Sequence, residues 1–326
     1  MEFNKLRQIK MRHLSAFVET VRCGSLKAAS ERIFLTQPAI SKTLKDLESI
    51  LGVSLMHRDR GGIELTREGA VFRQFAEQCL AALGHGLASL DALSSGAASP
   101  LHIGALPSVA ADLLPDVILR FAELSPPTPV TVEDGHIGGL VDRLRSGKLD
   151  LLVGRMGRPE TMEGLSFTQL YSENVVFAVA TDHPMARATS LDALNECRIL
   201  YPPKGAAIRP LVDRFLIAHG IGDWSNRIET VSGAFGRAMT LGPAQAIWII
   251  SRGVVARDIA AGRMTSLPIN TSAMAGPVGI LARSEEDPTP TIRLFRQALL
   301  EATRSAVSRR ASDRYGEFVS EDDRRC

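Results

Sequence analysis

Gln37, Ser41, Lys42 and Lys45 set an amide, a hydroxyl and two ammonium groups on one side of a short segment. Its other side is apolar at Ile40, Leu44, Leu47 and Leu51. Two such stripes make the 3.6-residue pattern of an amphipathic helix. Thr36 offers a hydroxyl to the first free amides, and Pro38 is tolerated in a first helical turn, where its missing N–H is no loss. A Gln amide can bond adenine, and Lys can reach guanine or phosphate, so Thr36, Gln37, Pro38, Ser41, Lys42 and Lys45 are expected to contact double-stranded DNA through the major groove. Taken alone, a polar helix face is only a solvated face. The neighbouring chain decides between the two.

Leu14, Phe17, Val18 and Val21 predict a first amphipathic helix. Gly24-Ser25 ends it and caps a second one carrying Leu26, Ala28, Ala29 and Ile33. The small Ala28-Ala29 pair lets that second helix approach the third closely. Three short helices with the polar-faced one last form a helix-turn-helix unit. After Gly52, the segments Val53–Arg58 and Ile63–Thr66 flank Gly61-Gly62 and predict a hairpin, a wing whose Arg58 and Arg60 reach the DNA backbone or minor groove. The first 66 residues are therefore expected to be an essentially all-α winged helix-turn-helix domain.

From Thr66 to about Leu93 a long helix is predicted. Ala76, Leu80, Leu83, Leu87 and Leu90 recur by fours and threes, a seam suited to a second copy of the same helix. Ser94 to Pro100 reads as a hinge, so residues 67–99 form a dimerising linker. Beyond Pro100 strands and helices alternate: a strand from Leu101 to Leu106, one helix from Ala110 to Leu124, strands at Pro129–Glu133 and Leu149–Gly154 with the helix Ile137–Ser146 between, and a second set from Val175 onward. This predicts two α/β lobes on parallel sheets, lobe I over 100–172 and 275–310 and lobe II over 173–274, with a ligand cleft beyond the strand ends. The charged tail 311–326 lacks an apolar period and is expected to be disordered.

Loops after the strands supply the cleft. Pro107, Ser108 and Val109 open a helix and could accept an anion. His136 follows the second strand; Pro202, Pro203, Lys204 and Ser232 come from the other lobe. Lys204 and Arg209 add positive charge, which suits a small carboxylate.

The whole-chain charge of +2 hides an asymmetry: residues 1–66 carry 11 Lys+Arg against 7 Asp+Glu, and the remainder 27 against 29. The basic excess lies at the DNA-reading end. Cys23, Cys79, Cys197 and Cys326 have no paired spacing, and the seven histidines are dispersed, so neither a metal site nor a disulfide framework is expected. With no Gly-x-Gly-x-x-Gly, nucleophile elbow or zinc spacing, an enzyme is not expected, and no cofactor is implied. Gly135-His136-Ile137-Gly138-Gly139 alone is a weak phosphate-loop candidate. No secretory signal or run of about 18 apolar residues is seen, so a cytoplasmic protein with no membrane partner is expected. A purely architectural DNA-binding protein would need no ligand cleft.

The order Leu14, Phe17, Gly24-Ser25, Ala28-Ala29, Thr36-Gln37-Pro38-Ala39-Ile40-Ser41, Leu47-Glu48, Leu51-Gly52, Leu55, Arg58, Leu65-Thr66 and Gly69 resembles the N-terminal domain of LysR-type transcriptional regulators. Met56 stands where that pattern has phenylalanine, and Gly61 where it often has a second arginine. The resemblance implies a periplasmic-binding-protein-like effector domain, maps the cleft loops onto effector-binding loops, and implies homodimers that pair into tetramers and act with RNA polymerase. The segments 103–109, 150–155, 170–173, 201–204 and 276–279 are similar to the activator subgroup of the pca operon, which governs protocatechuate catabolism. That implies a muconate-type dicarboxylate as effector and activation as the response. A related branch controls sugar uptake through a neutral sugar and stays open.

Overall fold

The computed structural model describes residues 2–59, 62–95, 99–125, 127–157, 161–222, 224–284 and 287–322. The chain forms two compact units, Met1–Gly96 with Arg145–Lys148, and Ala97–Leu144 with Leu149–Cys326.

The first unit contains helices α1 (Glu2–Gln8), α2 (Met11–Cys23), α3 (Leu26–Arg32) and α4 (Gln37–Leu51), the hairpin β1 (Met56–Asp59) and β2 (Gly62–Leu65), and the long α5 (Arg67–Ser95). α1 was not expected; Lys5 on it donates through Nζ to the Leu51 carbonyl at 2.8 Å and so closes the C-terminal end of α4. Gly24 ends α2 in the left-handed region, and the Ser25 hydroxyl accepts from the Ala28 amide at 3.1 Å, as the sequence predicts. Phe17, Ala29, Ile40, Leu44, Leu47, Leu55 and Met56 form the core, with the Phe72 ring of α5 tilted against Phe17 at 5.5 Å between centroids. Each such buried Leu or Phe contributes about 1.5–3 kcal/mol.

Three expectations need correction in this unit. It is not all-α, because β1 and β2 pair antiparallel from Met56↔Leu65 to Asp59↔Gly62. Leu51 is only half-buried, lying at the helix end where the core thins. Ala76 is buried in the unit's own core, and Leu80 packs against it, so the apolar seam left exposed on α5 begins at Leu83 and continues through Leu87 and Leu90.

Wing and helix are locked together by residues of the motif. Glu48 accepts the Leu55 amide at 2.7 Å and the Ser54 hydroxyl at 3.2 Å. Thr66 donates its hydroxyl to the Ser54 carbonyl and accepts the Gly69 amide. A Cβ on Gly69 would lie 1.8 Å from the Leu55 carbonyl oxygen, so only glycine lets α5 start this close to the wing.

In the second unit each lobe is a five-stranded sheet between helices. Lobe I begins with β3 (Leu101–Ala105), α6 (Pro107–Ala111), α7 (Leu113–Leu124), β4 (Val130–Asp134), α8 (Ile137–Arg145), β5 (Leu151–Arg155) and β6 (Leu165–Glu173). Lobe II contains β7 (Val175–Ala180), β8 (Ile199–Tyr201), α9 (Arg209–Ala218), β9 (Arg227–Glu229), α10 (Gly233–Leu241), β10 (Ile247–Ser251), α11 (Arg252–Ala260) and β11 (Met264–Ser266). β12 (Gly276–Arg283) and α12 (Pro290–Asp322) return to lobe I. Alternate residues of β5 face opposite layers: Leu151 and Val153 meet α7 and α12, and Leu152 meets α8.

The sheets are mixed rather than parallel. β3 pairs parallel with β4 and β5, while β12 pairs antiparallel with β5 and β6. In lobe II β8 is parallel to β9 and β10, and β7 antiparallel to β10 and β11. Strands that pass from lobe to lobe enter without a helical crossover and are free to pair antiparallel. The single helix expected over 110–124 is two, broken at Asp112, because Pro115 has no N–H to continue the ladder. α12 runs past Val307 to Asp322, across most of the tail expected to be disordered. A charged run free of proline satisfies its backbone within a helix and needs no apolar face for that.

Candidate functional site

On the first unit the candidate surface is α4 and the hairpin. Thr36 occupies the N-cap of α4, yet its hydroxyl makes no capping bond, contrary to expectation. Thr36, Gln37, Pro38, Lys42 and Lys45 are exposed and Ser41 half-buried, so the face predicted from spacing is the face left open. The side chains of Gln37, Lys42 and Lys45 form no hydrogen bond or ion pair with the described residues. Arg58 lies in β1 opposite Ile63, one pair before the end of the ladder, and Arg60 falls outside the described residues. Phe34, which sequence reasoning passed over, is 94% exposed in the turn before α4 and holds a φ of 55°. Elsewhere in the unit, His13 is buried at the start of α2, where burial, then the Arg12 charge, lowers its pKa and disfavours the imidazolium.

The second unit holds a cavity of about 280 Å³ between its lobes. Of the residues predicted for it, Pro107 and His136 from lobe I and Pro202 and Pro203 from lobe II line it. His136 Nδ1 lies 3.4 Å from the Gly205 carbonyl of the opposite lobe. Leu106, Ile137, Val231, Trp248, Ile250 and Val254 make most of the remaining wall apolar, and Asp134 and Thr230 add polar groups. Ile137 and Gly233 bring the N-terminal ends of α8 and α10 to the wall, with the partial positive charge that such ends carry.

Other expected contacts are engaged elsewhere. Ser108 is 6% exposed, and its hydroxyl donates to Glu173 at 2.8 Å, so it is no anion-accepting corner: the carboxylate already takes its proton donor. Val109 is fully buried in the lobe I core. Arg209 donates to Asp213 at 2.7 Å, Glu229 at 3.0 Å and the Pro202 carbonyl at 3.1 Å, and lies over the Tyr201 ring, so its charge is neutralised within the lobe. Burial and the Asp213 carboxylate raise the Tyr201 pKa and keep that phenol protonated. Lys204 is exposed and outside the lining, and Ser232 caps α10 by accepting the Phe235 amide. Among the described residues the cavity wall contains no Lys or Arg. Sequence reasoning missed Asp134, Thr230 and Trp248; Asp134 was within reach, since it ends β4 two residues before His136.

Among the described residues no cluster of His, Cys, Asp and Glu could hold a metal ion, and no helix is long and apolar enough to cross a membrane.

Residues 11–70 match the bacterial regulatory helix-turn-helix proteins of the lysR family, and residues 94–304 match the LysR substrate binding domain. The chain is 41% identical over 298 residues to the HTH-type transcriptional regulator PcaQ of Agrobacterium fabrum, covering 91% of this chain and 96% of that one. It is 32% identical over 286 residues to the HTH-type transcriptional regulator YdcI of Escherichia coli, covering 87% and 93%. Among solved structures, full-length LysG of Corynebacterium glutamicum with bound effector Arg is similar at 20% identity and a TM-score of 0.62, covering 91% of this chain and 99% of that one. Full-length CbnR complexed with its target DNA is similar at 21% identity and a TM-score of 0.60, covering 90% and 100%.

Proposed function

The chain belongs to the LysR family of transcriptional regulators, and on that premise we propose that it binds a promoter operator through α4 and the wing and activates genes of protocatechuate breakdown. A small organic acid of that route, seated between the lobes, is the effector. The observation that carries the reading is the set of unpartnered donors Gln37, Lys42 and Lys45 on one exposed face of α4. Ser41, Thr36 and Pro38 shape the same face, and Arg58 and Arg60 on the wing add phosphate contacts. The exposed stripe Leu83, Leu87 and Leu90 supports a homodimer through α5, with pairs of dimers and RNA polymerase as further partners in the cytoplasm.

For the effector, the apolar wall suits a carbon skeleton and the ends of α8 and α10 suit a carboxylate, with Lys204 beside the mouth. Arg209, held by two carboxylates, is not needed for it. The Asp134 carboxylate favours a second reading, a neutral sugar whose hydroxyls donate to it, in a regulator of sugar uptake.

Genome-wide binding of the native protein, followed by calorimetry with protocatechuate, cis,cis-muconate, β-ketoadipate and galactose, tests both. Binding sites beside ring-cleavage genes and heat from an acid are expected. Sites beside sugar transporters and heat from galactose alone would replace the first reading by the second. Replacing Leu83 and Leu87 with Glu is expected to separate the dimer in light scattering; an intact dimer would remove α5 from the interface.

A further inference from the structure

Glu173 is a buried carboxylate that the proposed reading does not use. It ends β6, where the chain leaves lobe I, and a single residue, Asn174, separates it from β7 of lobe II. In the ladder it faces Gly276, where β12 returns. Both of these chain crossings therefore meet at this residue. One carboxylate oxygen accepts the Ser108 hydroxyl of lobe I at 2.8 Å, and the other accepts the Gly253 amide of lobe II at 3.0 Å. Arg155 of lobe I donates through Nη2 to the Glu173 carbonyl at 2.9 Å and lies 3.6 Å from its carboxylate. The Arg155 and Glu173 side chains are 6% and 3% exposed. A buried pair of this kind adds little net stability over apolar packing. Its place in the fold is the informative property.

Ser108 follows Pro107, and Gly253 precedes Val254; Pro107 and Val254 are cavity wall on opposite lobes. The fit behind that wall is tight, since a Cβ on Gly253 would lie 2.5 Å from Glu173 Oε1 and 2.8 Å from the Ser108 carbonyl oxygen. Four residues on, Arg257 donates to the Asp112 carbonyl at 3.2 Å and to Asp116 at 3.1 Å, a second tie from α11 to lobe I, where α6 gives way to α7.

We propose that Glu173 is a clamp between the lobes that converts occupancy of the cavity into a change of lobe geometry. A molecule that shifts Pro107 relative to Val254 loads the Ser108–Glu173–Gly253 bonds, and the clamp then favours one arrangement over another. Glu173 and Ser108 are positioning residues that touch neither effector nor DNA. The clamp rests on the reading of the cavity as the effector site.

The test uses full-length Ser108→Ala, which cuts the tie from lobe I, and Gly253→Ala, which wedges it from lobe II. In hydrogen exchange without any ligand, each variant is expected to speed exchange at least tenfold in residues 105–112 and 248–257 together, leaving α4 unchanged. Acceleration confined to the altered lobe would overturn the clamp. In the second arm, binding to a promoter fragment recovered by the native protein is titrated with cis,cis-muconate to saturation. The maximal change in DNA affinity is expected to fall at least fivefold in both variants, with affinity in the absence of the acid held within twofold. A full response regained at higher acid concentration would make Ser108 an ordinary ligand contact and overturn the clamp. Where cis,cis-muconate gives no heat, whichever of the three acids does is titrated in its place; if none binds, the acid reading fails, and the exchange experiment alone decides the clamp.

Discussion

On α4 the side chains of Gln37, Lys42 and Lys45 stand in solvent with no bond to the described residues, whereas around the cavity Ser108, Arg209 and Ser232 are each held by a neighbour of their own domain. One surface offers its polar side chains, and the other uses them as scaffolding. The difference follows from the partners. A polyanion with base edges in an open groove is met by ready donors in water. A small molecule enclosed between lobes needs a wall of defined shape; Ser108, Arg209 and Ser232 hold that wall, while helix ends, apolar groups and the few polar residues Asp134, His136 and Thr230 line it.

The comparison breaks most sharply at Glu173. Glu173→Ala leaves Arg155 buried without its counter-ion and is expected to cost about 3–5 kcal/mol of effector-domain stability. Both tryptophans, Trp224 and Trp248, lie in lobe II, so thermal unfolding followed by their fluorescence reads that domain alone. An unchanged transition would mean that the pair is dispensable and the scaffolding view wrong.

On the open surface the effects should be smaller and should spare the fold. Gln37→Ala is expected to cost about 1–3 kcal/mol at the specific site and little on random DNA. Lys45→Ala should weaken binding to both and lower the salt slope by about one unit. Equal losses for Gln37→Ala on both DNAs, read by fluorescence anisotropy, would reduce α4 to a phosphate contact.

Acid should act on the first unit through His13. Its folded pKa lies below the ordinary 6.5, so the unfolded chain takes up the proton first, and stability is lost as pH falls from 6.5 through the folded value. Protection factors of the α2 amides in the full chain, corrected for the intrinsic pH dependence of exchange, should fall over that window. Protection factors that are flat between pH 7 and 5 would remove His13 as the cause.

Smallest is Phe34→Gly, where relief of the left-handed φ should raise stability by about 1 kcal/mol. A lower melting temperature would show that the exposed ring has a contact that offsets its strain.

The DNA-reading unit was largely legible in the sequence. Ile40, Leu44 and Leu47 repeat at helical spacing, Gly24-Ser25 punctuates two helices, and the wing is a short-range hairpin. Ala76 shows the boundary of that legibility: it continues the seam of α5 by spacing, but the fold turns it into the core of its own unit. In the effector domain the alternation of strands and helices was legible, and Pro107, His136, Pro202 and Pro203, singled out by their position after strands, line the cavity. Ser108 and Arg209 do not, because a hydroxyl and a guanidinium look equally available whether or not a carboxylate waits elsewhere in the chain.

By itself the sequence determined what depends on neighbours a few residues apart: helical stripes, caps, the hairpin and the succession of elements. Tertiary structure alone decided which polar groups remain free. Glu173 meets a hydroxyl 65 residues before it and an amide 80 residues after it, and Arg209 meets a carboxylate 20 residues on in another element. Such pairings arise only when separate strands are brought to one point, and burial there makes each pairing obligatory, since an unpaired buried charge is too costly to leave.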